Sequence, residues 1–208
     1  MTNKDLPFPF TVKDNVLPQF ILKDIIEVID KLELVELNKL TMNPRDSKNR
    51  FVLNFDNLNT QNEHYELLNL VKNKVINYSW ACYEKNKKKI EKNNFEVNTI
   101  IIKDSKGYEL LPHTDSKKKL WTSILYLFDY DYKLGGSTDI LISKNKKLVD
   151  DFGNKKFSWN LFSTYKKIEP KINRLLFFER TNKSFHGVKK SDVLRLMIIF
   201  NCNLKASE

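Results

Sequence analysis

Residues 97–128 read VNTIIIKDSKGYELLPHTDSKKKLWTSILYLF. Two apolar runs in this stretch, Val97–Ile102 and Leu120–Phe128, are rich in β-branched and aromatic side chains and have the length of strands. Between them, His113 and Asp115 stand two residues apart in Leu110-Leu-Pro-His-Thr-Asp. On an extended chain residues i and i+2 point the same way, so one imidazole and one carboxylate can reach the same ion.

The alternation of short apolar runs and polar turns continues toward the C-terminus with Thr138–Ile142, Arg174–Phe178 and Val193–Cys202. Toward the N-terminus the period changes. Ile21, Ile25, Ile26, Val28, Ile29 and Leu32 recur at three and four residues and predict a helix over Phe20–Leu34. A second helix is expected from Glu63 to about Ile90, with Leu67, Leu68, Val71, Val75, Ile76 and Trp80 on one side. The proline-punctuated segment Asp5–Pro18 reads as an entry strand, and Thr41–Thr60 as a loop region with one short strand at Arg50–Leu53. Helices followed by a series of strands predict an α+β chain, mainly β, whose sheet part is a sandwich or jelly roll. The expected organisation is one folded unit over 1–208, with a helical N-terminal part to about 93 and a β core from about 94 to 204.

Composition agrees with one globular unit: 208 residues with 41% hydrophobic and 12% aromatic content can fill a core. With no signal-peptide pattern and no apolar stretch of membrane-spanning length, the expectation is a soluble, cytoplasmic protein without a membrane partner. Cys82 and Cys202 alone suggest inert thiols rather than a disulfide framework. The net charge of +10 raises nucleic acid as a partner, as do the runs Lys87-Lys88-Lys89 and Lys117-Lys118-Lys119. Arginine, however, stands only at 45, 50, 174, 180 and 195, so most of the 36 basic residues are lysine, the poorer residue for bidentate phosphate or base recognition. Nucleic acid is disfavoured, and solvated lysine faces explain the charge.

His186 lies far along, in Lys183-Ser-Phe-His-Gly-Val, where Gly187 marks a turn or a close approach of backbone. A jelly roll that brings this segment opposite His113 would make a face of two histidines and one carboxylate with open positions, which suits iron(II) and oxygen chemistry. Zinc would accept the same triad. Arg195, nine residues after His186 and inside an apolar strand, calls for an anion, because an unpaired buried charge is costly. A dicarboxylate could supply it, one end on the guanidinium and the other on the metal.

In this order, His113, Asp115, His186 and Arg195 resemble the H-x-D…H…R hallmark of the 2-oxoglutarate/iron(II) dioxygenase superfamily, nearest in style to its prolyl-4-hydroxylase-like branch. Leu125-Tyr-Leu127, Gly135-Gly-Ser-Thr138, Asn173-Arg-Leu-Leu-Phe-Phe-Glu179 and Ser184-Phe-His-Gly-Val188 extend the resemblance, weakly also Pro7-Phe-Pro-Phe10. It implies a double-stranded β-helix, the cupin-like jelly roll, that holds iron(II) as cofactor and consumes 2-oxoglutarate and dioxygen together as co-substrates, with ascorbate as an auxiliary reductant. It further implies hydroxylation of a C–H bond in a peptidyl, prolyl or small-molecule substrate, with release of succinate and carbon dioxide. Tyr126 would share the 2-oxoglutarate carboxylate with Arg195, and Asp115 favours hydroxylation over halogenation, whose family members lack that ligand. The family often carries serine or threonine two residues past the arginine, where Met197 stands here.

Blander readings stand beside these. Tyr126 is also a plausible core aromatic, His64 reads as a helix-cap or surface residue, and Trp121 and Trp159 as core or lid packing. Gly135-Gly136 reads as a turn between strands. The segment 144–167, mixing lysines with Phe152, Phe157, Trp159, Phe162 and Tyr165, fits a loop over the barrel mouth and a packed surface excursion equally well. A zinc or manganese cupin-like enzyme, or a silent binding module, is the alternative function. A nucleic-acid demethylase fits worse, because no second arginine follows Arg195 in Leu-Met-Ile-Ile-Phe-Asn201.

Overall fold

The computed structural model describes residues 6–32, 34–36, 49–55, 64–86, 90–128 and 135–205. Most of the loop expected at 41–60 and the lysine run 87–89 lie outside the described residues. Eleven strands are present among the described residues, in two antiparallel sheets. In chain order they are β1 (Phe10–Lys13), β2 (Val35–Glu36), β3 (Arg50–Asn54), β4 (Phe95–Asp104), β5 (Leu110–His113) and β6 (Lys119–Tyr126). They continue with β7 (Thr138–Ser143), β8 (Phe162–Ile168), β9 (Arg174–Glu179), β10 (His186–Val188) and β11 (Arg195–Leu204). The large sheet runs β1-β9-β6-β11-β4-β3-β2 and the small one β5-β10-β7-β8, the two facing sheets of a jelly roll.

The period of two in each central strand separates two cores. Trp121 and Leu125 of β6, Leu175 and Phe177 of β9, and Ile198, Phe200 and Cys202 of β11 turn outward. They meet helices α1 (Gln19–Lys31) and α2 (Tyr65–Asn86), which offer Ile21, Leu22, Ile25, Val28 and Ile29, and Leu68, Val71, Val75 and Trp80. The intervening residues, Ile124 and Tyr126, Leu176 and Phe178, Ile102 and Met197, turn inward toward the small sheet. The helices therefore stand behind the large sheet and leave its other face to the interior. No helix among the described residues is long and apolar enough to cross a membrane.

Both helices form where the periodicity places them, α1 directly after Pro18 and α2 two residues later than expected. The segment 144–167 forms a packed excursion that leads into β8. Backbone hydrogen bonds from Lys117 N to Phe152 O (3.0 Å), Asn154 N to Thr114 O (2.8 Å) and Phe157 N to Pro112 O (2.8 Å) pin the excursion along the chain that carries His113 and Asp115. Gly153, at φ +77°, is required in it: a Cβ would lie 2.0 Å from the Asp115 carbonyl oxygen. Gly135 and Gly136, both at positive φ, stand just before β7, and the rest of the connection from β6, residues 129–134, lies outside the described residues.

Candidate active site

β5 and β10 pair antiparallel with His113 directly opposite His186, which brings together two residues 73 positions apart. Their rings approach to 4.4 Å between centroids. Gly187 permits this: a Cβ there would meet Leu110 O and the Trp159 ring at 2.9 Å, so the glycine marks a close approach and not a turn. Asp115 follows just beyond β5, with Oδ1 3.9 Å from His113 Nε2. The ligand atoms of His113, Asp115 and His186 all lie within 4.8 Å of one another, and all three residues are buried.

Neighbouring groups orient each member. His113 Nδ1 donates to Leu111 O (2.9 Å) and His186 Nδ1 to Ser184 O (3.0 Å), so each ring turns an Nε2 lone pair to the shared point. Thr122 Oγ1 donates to Asp115 Oδ2 (2.7 Å), leaving Oδ1 toward the histidines and Lys119 Nζ, 3.2 Å away. Burial pushes the Asp115 pKa up, but Lys119, the two histidines and the Thr122 hydrogen bond outweigh it and hold the carboxyl well below its ordinary range. Burial lowers both imidazoles, with the neighbouring His186 and Lys156 charges adding to the effect on His113. Two neutral imidazoles and one carboxylate are the donor set a divalent transition metal takes, so the residues fit such an ion.

The triad opens on a cavity of about 460 Å³ between the sheets. At its far end β11 presents Arg195, 2% exposed, as the sequence led one to expect. The company it keeps was not legible. Arg195 Nη1 donates to Asp104 Oδ2 (3.2 Å), and the same carboxylate receives a bidentate pair from Arg50 of β3, Nε to Oδ1 at 2.6 Å and Nη2 to Oδ2 at 2.8 Å. Arg50 also stacks on Tyr108, 4.2 Å from its ring centroid. Two guanidinium groups against one carboxylate leave one positive charge, and the buried Arg195 Nε has no hydrogen-bond partner.

Tyr126 lies at this end too: its hydroxyl and Thr138 Oγ1 are 2.7 Å apart, and Arg195 Nη2 reaches the same Thr138 oxygen at 3.4 Å. Thr138 of β7 thus sets a hydroxyl beside Arg195, while the Met197 sulfur sits 3.8 Å from Arg195 Nη2. Thr122 touches Asp115 and Tyr126 touches Thr138, four residues further along the same strand, or roughly 13 Å. Triad and arginine therefore occupy two levels of one cavity.

Other residues weighed in the sequence stand apart. His64 precedes α2 outside the cavity, Trp121 is core, and Trp159 packs against the cluster of Phe157, Phe162 and Phe185, its indole nitrogen donating to Glu109 at 3.1 Å. Arg50, Asp104, Thr138, Lys119 and Asn201 were missed as site residues. Their only sequence signal is placement on inward positions of strands, which a single chain does not distinguish from ordinary polar residues.

No family model and no curated protein matches the sequence. Solved structures do match. A viral collagen prolyl hydroxylase from Paramecium bursaria Chlorella virus-1, in complex with 2-oxoglutarate, is 14% identical with a TM-score of 0.56, covering 95% of this chain and 96% of the other. A prolyl hydroxylase from Trichoplax adhaerens, in complex with a hypoxia-inducible-factor peptide fragment, is 14% identical with a TM-score of 0.61, covering 93% and 83%. HygX from Streptomyces hygroscopicus, with nickel, 2-oxoglutarate and hygromycin B bound, is 10% identical with a TM-score of 0.56, covering 96% and 84%. At these identities the likeness speaks for architecture: the chain has the fold of the 2-oxoglutarate/iron(II) oxygenases, including their prolyl hydroxylases.

Proposed function

We propose that this protein is an iron(II)- and 2-oxoglutarate-dependent dioxygenase that hydroxylates a C–H bond of a peptide or small-molecule substrate. The observation that carries the proposal is one cavity with a His113–Asp115–His186 face at one level and a surplus guanidinium charge at another. A metal triad alone would suit zinc or manganese; the Arg195 end adds a receptor for a second carboxylate. Solved structures of the same fold that hold 2-oxoglutarate support this reading.

In this reading His113 Nε2, His186 Nε2 and an Asp115 oxygen hold the iron. Arg195 takes the distal carboxylate of 2-oxoglutarate, its orphaned Nε and the Tyr126 and Thr138 hydroxyls being the donors at hand. Iron and 2-oxoglutarate, when bound, would supply the oxidant for hydroxylation of the substrate C–H bond, with 2-oxoglutarate and dioxygen converted to succinate, carbon dioxide and the inserted oxygen atom. The protein's own part is orientation and exclusion of water. Val52, Ile100, Ile102, Ile124, Phe178 and Ile199 line the cavity and keep bulk solvent from the reacting centre. Thr122 keeps Asp115 turned to the metal, and ascorbate would serve as an external reductant.

Anaerobic addition of iron(II) and 2-oxoglutarate should produce a weak visible charge-transfer band, absent in His113→Ala and Asp115→Ala. Arg195→Ala should keep metal binding and weaken 2-oxoglutarate about tenfold to a hundredfold, as expected for loss of a charge-assisted hydrogen bond. A wild-type protein with no band and no 2-oxoglutarate-dependent thermal stabilisation would refute the proposal. Oxygen-dependent conversion of 2-oxoglutarate to succinate separates it from a zinc or manganese enzyme of the same fold.

A further inference from the structure

The cavity has a second cationic end that co-substrate binding does not use. β11 turns Arg195, Met197, Ile199 and Asn201 inward at two-residue steps, so Arg195 and Asn201 lie on the order of 20 Å apart along the strand. At the Asn201 end, Lys119 Nζ donates to Asn201 Oδ1 (2.7 Å) and faces Asp115 Oδ1 at 3.2 Å, with only 20% of its side chain exposed. Lys119 closes a run of three lysines, yet it bends inward instead of joining a solvated face. Lys156, on the excursion pinned along the triad, lines the same cavity, and its charge bears on both histidines.

The charges do not balance around a neutral substrate. Among the described residues lining the cavity, four are cations, Arg50, Lys119, Lys156 and Arg195, and Asp115 is the single acid. Asp104 offsets one of the two arginines from behind. A divalent metal is neutralised by Asp115 and the keto-acid end of 2-oxoglutarate, and the remaining arginine charge by the distal carboxylate. What remains is positive, at the Lys119 end, once the carboxylate now facing Lys119 is committed to the metal. Holding the Lys119 charge, mostly withdrawn from solvent, without a counter-ion is unfavourable.

Resting on the oxygenase reading above, we infer that the prime substrate is an organic acid whose carboxylate is received by Lys119 beside the triad, with Lys156 reinforcing the attraction. An uncharged peptide segment would leave the lysine without its counter-charge. Lys119 is then a specificity-determining residue, choosing acids over their neutral analogues and placing the adjoining C–H bonds near the metal.

The test uses protein loaded with nickel(II) and 2-oxoglutarate under conditions where no turnover occurs. The probes are free amino acids, N-acetylated amino acids and short aliphatic acids, each beside its primary carboxamide, and the readout is thermal stabilisation. Acids are expected to stabilise where their amides do not. Lys119→Gln should weaken the best acid about tenfold or more, a loss typical of a charged hydrogen bond, while Lys119→Arg should keep the preference. Acids and amides that behave alike, both silent included, overturn the inference. So does a Lys119→Gln protein that binds metal less well but still prefers acids, since Lys119 would then serve only Asp115. Failure of the oxygenase reading shows separately, as a wild-type protein without the 2-oxoglutarate charge-transfer band.

Discussion

Burial sets the protonation of the two histidines of the triad. His113 and His186 are enclosed, and both imidazoles are held below the ordinary value of 6.5, so they are neutral donors near pH 7. The sign of the consequence for stability follows. In the unfolded chain a histidine takes up its proton near 6.5, whereas the folded one resists it, so falling pH favours unfolding below that value. The metal-free protein should hold a constant melting temperature above pH 6.5 and lose it progressively below. A His113→Gln/His186→Gln protein should lack that part of the decline; an identical decline in both would refute the assignment. At the other end Arg50 matters through Asp104. Arg50→Ala leaves Asp104 paired with Arg195 alone and removes the surplus charge, so 2-oxoglutarate affinity should drop about tenfold by titration, although metal affinity should not.

At the scale of elements, the site depends on two very short strands meeting in one register. Gly187→Ala would push a methyl group to 2.9 Å from Leu110 O and the Trp159 ring. The expected result is a loss of about 1–3 kcal/mol in chemical denaturation, with weakened metal binding because His186 no longer faces His113. Helix α2 is tied to β6 by one buried polar pair, Ser79 Oγ to Ser123 Oγ at 2.7 Å. Ser79 Oγ also donates to Val75 O (2.7 Å), so Ser123 is the donor of the pair and Ser79 keeps a partner without it. Ser123→Ala should cost about 0.5–1.5 kcal/mol, and the double alanine variant should cost less than the sum of the single changes. Sequence pattern was sufficient for the long elements and for the short strands β1 and β3, and gave no mark at β8 and β10. β8 reads Phe-Ser-Thr-Tyr-Lys-Lys-Ile, exposed at its five central positions as an edge strand, so no alternation marks it. β10 has three residues, too few for any period to register.

The whole molecule is a jelly roll whose large sheet is loaded from both sides, with helices behind it and the cavity in front. Trp80 of α2 meets Trp121 of β6 edge-on at 5.7 Å between ring centroids, where the helix layer joins the sheet that carries the site. Trp80→Ala should destabilise the protein by about 3–5 kcal/mol in denaturant titration, the range for emptying a large aromatic site in a core. The sequence by itself determined the helices and the long strands and singled out His113, Asp115, His186 and Arg195 as candidates, because hydrophobic period and ligand chemistry are written in residue types and local spacing. Only tertiary structure decided that β5 and β10 pair at His113 and His186, and that Arg50, Asp104 and Thr138 surround Arg195. It also decided that Lys119 turns inward from a lysine run that composition assigns to solvent. These are contacts between segments distant in the chain, set by sheet register and side-chain direction, and neither quantity is encoded in the neighbours of any one residue.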